Sequence, residues 1–86
     1  MPKIPRDISG RDLAKVLSKY GYEIVRQTGS HIRLVSRIQG TEHKITIPDH
    51  DPLKVGTFNA ILNDVAGYLK ISKEQLLNDI LQVLGI

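Results

Sequence analysis

The hydrophobic positions near the start of the chain recur at helical spacing. Ser9 precedes them and Asp12 stands three residues later, which is the pattern of a capping box, and Gly21 follows the last of them. An apolar residue at every third or fourth position indicates one buried face of a helix. We therefore predict a first helix over about residues 10–20. Its apolar positions are Leu13, Val16, Leu17 and Tyr20.

The same spacing returns in the second half of the chain. It predicts a helix from about Thr57 to Gly67 and, after a second capping box at Ser72–Gln75, a last helix over about residues 72–84. The inward positions of the earlier helix are Phe58, Ile61, Leu62 and Val65. Those of the last helix are Leu76, Leu77, Ile80, Leu81 and Leu84. This last apolar stripe either packs into the core or offers a partner a secondary docking surface.

Between the helices the period shortens to two, which predicts strands over residues 22–27, 31–38 and 43–47. Tight turns around Gly29 and Gly40 separate them, and Pro48 ends the third. Consecutive strands joined by short turns pair antiparallel. The predicted fold is therefore α+β, with the order α-β-β-β-α, an extra C-terminal helix and a three-stranded antiparallel sheet.

Alternation along the second strand divides its side chains between two faces of the sheet. One face carries Ile32, Leu34, Ser36 and Ile38. The other face carries His31, Arg33, Val35 and Arg37. We expect the helices to cover the first face and the second to present its histidine and arginines to solvent.

Composition narrows the class of protein. A chain of 86 residues with 41% hydrophobic and 24% charged residues is expected to form a single soluble globular domain over residues 1–86. The chain has no cysteine, which excludes disulfides and thiolate chemistry. The first residues lack the apolar run of a signal peptide, and no segment reaches the roughly 18 apolar residues of a membrane span. We expect a cytoplasmic protein without a membrane partner.

Charge is distributed unevenly along the chain. Residues 1–44 hold nine Lys and Arg against four Asp and Glu, a balance of +5, whereas residues 45–86 hold three against five, a balance of −2. A basic half favours a polyanionic partner, because neutralised phosphates release their counterions.

His31 is the candidate for chemistry, because a turn delivers it to the start of a strand on the face of Arg33 and Arg37. Histidine can accept and donate a proton near neutral pH, and guanidinium groups can hold a phosphate beside it. Cleavage of RNA by its own 2′-hydroxyl requires a base of this kind and cations that stabilise the phosphorane. The alternative is that His31 is an ordinary exposed strand residue.

The other polar residues have plainer interpretations. Ser30 points away from His31 in an extended chain, so it is interpreted as a turn residue and not as a nucleophile. His50, between Asp49 and Asp51, is a second acid–base group, a substrate contact or a hydrogen-bond partner of its neighbours. His43 is expected to be solvated. We predict no metal site, because adjacent loop residues do not converge as ligands.

Several of these residues occur together in an order that resembles the HicA (YcfA-like) toxins. The segments are Ile8-Ser9-Gly10, Gly21-Tyr22, Arg26-x-x-Gly29-Ser30-His31, Ile45-x-Ile47-Pro48-x-His50 and Gly56-Thr57-Phe58-x-x-Ile61-Leu62. The resemblance covers about residues 4–70, and the chain from Lys70 onward extends past it. Tyr22 replaces the Trp or Phe that is frequent in the family, and Phe58 replaces Leu.

The resemblance implies a fold like the double-stranded-RNA-binding domain and an mRNA-cleaving endoribonuclease that needs no metal or other cofactor. It assigns the catalytic histidine to His31 and implies a HicB-type antitoxin that covers the active face. The candidate RNA-binding residues are Arg26, Ser30, Arg33, Arg37, Lys44 and His50.

Two other classes of protein stay open. A non-catalytic double-stranded-RNA-binding module has the same element order, but it usually opens the helix after the third strand with a lysine cluster, and only Lys54 stands there. A module that binds protein through its last helix explains neither the histidine nor the basic face.

Overall fold

The computed structural model describes residues 7–85, in which the predicted order of helices and strands is confirmed. Residues 1–6, to which the signal-peptide prediction applies, and residue 86 lie outside the described residues. The elements are α1 (Gly10–Ser18), β1 (Tyr22–Thr28), β2 (His31–Ser36), β3 (His43–Pro48), α2 (Val55–Leu69) and α3 (Lys73–Leu84). None of the helices between residues 7 and 85 has the length and apolar character that a membrane span requires.

The start of α1 is fixed by a cap and a close backbone contact. The Ser9 hydroxyl accepts a hydrogen bond from the Asp12 amide at 3.1 Å, as the capping box predicts. A Cβ atom on Gly10 would lie 2.0 Å from the Pro48 carbonyl oxygen, and the Gly10 amide donates to the His50 carbonyl at 2.9 Å. Only glycine therefore lets α1 begin directly against the end of β3.

Both ends of α2 differ from the prediction. The helix begins at Val55, two residues before Thr57, and its N-cap residue Lys54 makes no side-chain capping bond. Thr57 therefore lies inside the first turn of the helix. The helix also continues past Gly67 to Leu69 and ends where Lys70 adopts the left-handed conformation with φ 60°. Gly67 lies in the last turns of the helix, where glycine is tolerated although it weakens the helix.

The sheet has the strand order β1-β2-β3, and both pairs are antiparallel. The second strand ends at Ser36 and not at Ile38, because the Ser36 hydroxyl accepts a hydrogen bond from the Ile38 amide at 3.3 Å and the chain turns. Ile38 was predicted on the buried face, but its side chain lies beyond the strand and is 61% exposed.

Val35 departs from the predicted division of faces. It lies on the same face as His31 and Arg33 by alternation, yet it is buried. Its cross-strand neighbours are Glu23 and Lys44, whose long side chains flank it.

The helices cover the other face of the sheet, where Ile32, Leu34, Ile45 and Ile47 are buried. The third helix belongs to this core. Leu76, Leu77 and Ile80 are fully buried, and Leu81 and Leu84 are partly buried against the core. The hydroxyl of Tyr20, two residues after α1, also donates to the Asp79 carboxylate in α3. The core interpretation of the last helix is thus confirmed.

Candidate active site

A β-bulge in β1 determines which side chains meet on the open face of the sheet. Ile24 lies opposite Leu34, whereas Arg26 already lies opposite Arg33, so Val25 is an extra residue on β1. A bulge of this kind moves every later side chain of the strand to the other face. Without it, Arg26 would continue the alternation of Ile24 toward the helices. With it, Arg26 lies on the same face as Arg33.

The open face holds a groove of about 350 Å³ to which all three strands contribute. His31 stands at one end of it, as the first residue of β2, opposite Thr28 on β1 and Pro48 on β3. Arg33 follows two residues later, between Arg26 and Thr46. The groove is lined by Arg26, Thr28, His31, Arg33 and Thr46.

The two arginines of this groove form an unusual cross-strand pair. Like charges directly opposite each other destabilise a sheet. The ion pairs within residues 7–85 involve Arg11, Arg37, His43 and Lys44, and neither Arg26 nor Arg33 takes part in them. The groove therefore concentrates positive charge beside an exposed histidine and can attract an anion.

Arg37 and Lys44, two of the predicted RNA-binding residues, lie apart from the groove lining. Both contact Glu42, Arg37 through its Nη2 at 2.7 Å and Lys44 through its Nζ at 3.3 Å. Hydrogen bonds from Lys44 and Arg37 lower the pKa of the Glu42 carboxyl below its ordinary value. Lys44 still shares the open face, because it lies opposite Val35. Their roles in RNA binding stay predictions.

The predicted contacts Ser30 and His50 lie in the segments next to the residues that pair at the start of β2. Ser30 precedes His31, and His50 follows Pro48 by two residues. Ser30 forms the β1–β2 turn with Gly29, whose φ of 54° suits glycine, so its interpretation as a turn residue is confirmed. The Ser30 carbonyl accepts a hydrogen bond from the Asp49 amide at 2.6 Å. His50 is exposed in the loop after β3, and its carbonyl binds the Gly10 amide.

The prediction for His43 was wrong. Its ring is not solvated, because it stacks on Tyr68 with ring centroids 4.6 Å apart. Its Nδ1 lies 2.6 Å from the Tyr22 hydroxyl, and its Nε2 lies 3.2 Å from Asp64 Oδ1. Burial, followed by the charge of Asp64, raises the pKa of Tyr22. The Tyr22 hydroxyl therefore stays protonated over a wider range of pH and can donate a hydrogen bond.

Sequence reasoning missed Thr28 and Thr46, the two hydroxyl groups of the groove. The predicted first strand ends at residue 27, before Thr28, and only the register of the strands brings Thr28 opposite His31. The one available signal was the adjacent apolar pair Ile24-Val25, which breaks the alternation of β1 where the bulge occurs.

The fold and the groove define a class of protein: a small α+β protein whose sheet is covered by helices on one face and presents a histidine in a basic groove on the other. A family model described as the HicA toxin of bacterial toxin–antitoxin systems matches residues 10–66, about two thirds of the chain. The chain belongs to the HicA toxin family. The match runs from the start of α1 into α2, and α3 lies beyond it.

Searches of curated proteins and of solved structures found no match to the chain. Family membership identifies the protein as a toxin of a bacterial toxin–antitoxin system, and it implies a cognate antitoxin as a partner.

Proposed function

We propose that this toxin is a metal-independent endoribonuclease that cleaves mRNA, with His31 as its general acid and base. The observation that carries the proposal is the position of His31 in one groove with Arg26 and Arg33, a like-charged pair without a carboxylate partner among residues 7–85. A protein of this family is a toxin, and RNA cleavage is an activity that such a groove can perform.

The phosphate of RNA is the anion that fits between the two arginines. Each guanidinium presents several donors in a rigid fork, which matches phosphate oxygens. A bound phosphate would also remove the repulsion between the two side chains. Because charge on the phosphorus oxygens grows in the transition state, the same contacts stabilise the transition state more than the ground state.

The proposed reaction uses the 2′-hydroxyl of the substrate as its nucleophile. The neutral His31 ring takes the proton of this hydroxyl, and the 2′-oxygen forms a bond to the adjacent phosphorus. The bond from phosphorus to the 5′-oxygen breaks, and the protonated ring returns its proton to that oxygen. The products are a 2′,3′-cyclic phosphate and a free 5′-hydroxyl. A positioned acid–base group of this kind contributes about 10² to 10⁴ in rate.

The chemistry of the groove favours catalysis without a divalent cation. Its described lining offers guanidinium, imidazole and hydroxyl groups, and its positive charge repels a cation. Magnesium ions prefer carboxylate oxygens together with water and substrate phosphates. We therefore assign to Arg26 and Arg33 the charge stabilisation that a metal supplies in other nucleases.

The decisive experiment uses a short RNA and the same RNA with one 2′-deoxy nucleotide at the cleavage position. We expect cleavage of the first in the presence of EDTA, with cyclic phosphate and 5′-hydroxyl ends, and no cleavage of the second at the modified position. Activity that EDTA abolishes and Mg²⁺ restores would contradict the mechanism. RNA binding without any cleavage would favour the non-catalytic RNA-binding module.

We further propose that a HicB-type antitoxin controls the toxin by covering the open face across His31 and Arg33 and reaching Arg37 just beyond the end of β2. Acidic groups on the antitoxin would meet the basic face, which speeds encounter and fixes the register of the two partners. Antitoxin and RNA then compete for the same surface. Titration of inactive His31→Ala with both ligands tests this, because a ternary complex with undiminished RNA affinity would contradict occlusion.

A further inference from the structure

We propose that Asp49 is a positioning residue for His31, and that Arg11 and Gln27 hold its carboxylate in place. The inference rests on the proposed function of His31 and extends it to a residue outside the groove lining. Asp49 acts through the backbone and has no contact with substrate in this proposal.

The contact to His31 runs through the peptide bond that precedes it. The Asp49 amide donates a hydrogen bond of 2.6 Å to the Ser30 carbonyl, which belongs to the Ser30–His31 peptide. His31 also lies opposite Pro48, the residue before Asp49, in the register of β2 and β3. The loop after β3 therefore determines the orientation of the backbone from which the imidazole projects.

The carboxylate of Asp49 is fixed by side chains from two other elements. Arg11 in α1 donates from Nε to Oδ1 at 3.0 Å and from Nη2 to Oδ2 at 3.2 Å. Gln27 in β1 donates from Nε2 to Oδ2 at 3.5 Å. Because of the bulge, Gln27 lies on the helix-covered side of the sheet, opposite the buried Ile32. One carboxylate thus joins α1, β1 and the end of β3.

This contact differs from an ordinary surface ion pair. The Asp49 side chain is only 15% exposed, although its partner Arg11 is 69% exposed. The two-point geometry restricts the carboxylate in a way that a single contact does not. The Asp49 contacts raise the pKa of the Arg11 guanidinium, first through the hydrogen bond and then through the charge.

The loop of Asp49 is also tied to the start of α1 by its backbone. The His50 carbonyl accepts from the Gly10 amide at 2.9 Å, and the Leu53 amide donates to the Ile8 carbonyl at 2.8 Å. Loss of the carboxylate therefore leaves the loop attached and loosens it mainly at Asp49. We expect a displaced His31 ring in a folded protein, and not an unfolded one.

The test compares Asp49→Ala with Asp79→Asn, a control at the junction of α1 and α3 where the carboxylate accepts from Tyr20. We expect Asp49→Ala to lower kcat about 10- to 100-fold with KM within about twofold, because small misplacements of a reacting group cost rate and not binding. Asp79→Asn should keep kcat. Arg11→Ala should lower kcat in the same direction, and the double variant should be no worse than Asp49→Ala, because that change already removes the Arg11 contact.

A second readout is the NMR signal of the histidine rings in protein labelled with ¹³C at histidine, with His31→Ala supplying the assignment. We expect Asp49→Ala to shift or broaden the His31 signal and to leave that of His43 unchanged. An unchanged His31 signal would overturn the proposal, whatever happens to the rate. An increase in KM with unchanged kcat would overturn it as well, because it would assign Asp49 to RNA binding.

The two proposals fail in different ways. If the wild-type protein leaves RNA intact, the proposed function is wrong, and the ring signal alone then decides whether Asp49 positions His31. If the wild type cleaves RNA and Asp49→Ala cleaves it equally well with an unchanged His31 signal, the proposed function stands and the positioning role is wrong.

Discussion

His31 and His43 occupy opposite ends of the same sheet, and the protein surrounds them in opposite ways. His31 begins β2 on the open face, exposed in a groove with two arginines. His43 begins β3 on the helix side, where Tyr22 and Asp64 bind its two ring nitrogens and Tyr68 stacks on it. One imidazole is open to a ligand, and both nitrogens of the other are engaged by the protein itself.

The difference separates a histidine that can transfer protons from one that stabilises the fold. A general base must reach the proton that it removes, so its ring nitrogen must be available to substrate. A ring whose nitrogens are both hydrogen-bonded within the fold contributes to stability, because its loss leaves polar groups without partners. Both residues are histidines at the first position of a strand, so the difference between them comes from the side chains that surround each ring.

The largest effect on stability is expected at His43. We predict that His43→Ala lowers the free energy of unfolding by about 2 kcal/mol, because the buried Tyr22 hydroxyl loses its partner and the stack on Tyr68 is removed. His31→Ala should change it by less than about 0.5 kcal/mol, as exposed substitutions usually do. Urea unfolding followed by circular dichroism measures both, and equal losses would remove the distinction between the two histidines.

A smaller effect is expected when only the hydroxyl at the His43 end is removed. Tyr22→Phe should cost about 1 kcal/mol near neutral pH, the usual value of one hydrogen bond. Burial raises the pKa of Tyr22 above its ordinary value of 10.0. The unfolded chain therefore releases this proton before the folded one does, and wild-type stability falls as the pH rises above about 10.

Tyr22→Phe should reduce this loss of stability at alkaline pH without abolishing it, because the pKa of Tyr20 is also raised, first by burial and then by Asp79. Urea midpoints measured from about pH 8 to about pH 11 test the prediction. An identical alkaline loss in wild type and variant would show that Tyr22 ionises as freely in the folded state as in the unfolded one.

The smallest effects concern single charges at the His31 end. In RNA binding, the logarithm of the association constant falls linearly with the logarithm of the salt concentration. Arg26→Ala or Arg33→Ala should each make this slope less steep by about one unit. Arg37→Ala should reduce it by less, because Glu42 already neutralises part of that charge. Lys19→Ala, at the end of α1 on the covered side of the sheet, is the charge-matched control. Equal slopes for all four variants would mean that RNA follows another path.

The architecture could be predicted from sequence because it depends on local periodicity and local caps. Ser9 and Ser72 cap the helices that their spacing predicts. The predicted end of the second strand was wrong, because a turn contact ends it first. The Ser36 hydroxyl accepts from the Ile38 amide, and the strand ends two residues before the predicted position. The surroundings of His43 also escaped prediction, because Tyr22 comes from β1 and Asp64 and Tyr68 come from α2, all far from His43 in the sequence.

The groove could be predicted only in part, for a comparable reason. Alternation along β2 places His31 and Arg33 on one face without any knowledge of the other strands. Arg26 and Thr28 join them only because of the extra residue Val25, and a bulge changes register without a strong signature in the sequence. Arg37 was assigned to the same face by counting past the true end of the strand.

The most direct test of the account measures RNA cleavage by His31→Ala and His43→Ala under single-turnover conditions, with each rate divided by the fraction of folded protein. We predict that His31→Ala loses about 10² to 10⁴ in rate while its unfolding is unchanged, and that folded His43→Ala cleaves at the wild-type rate. Cleavage at the wild-type rate by folded His31→Ala would contradict it.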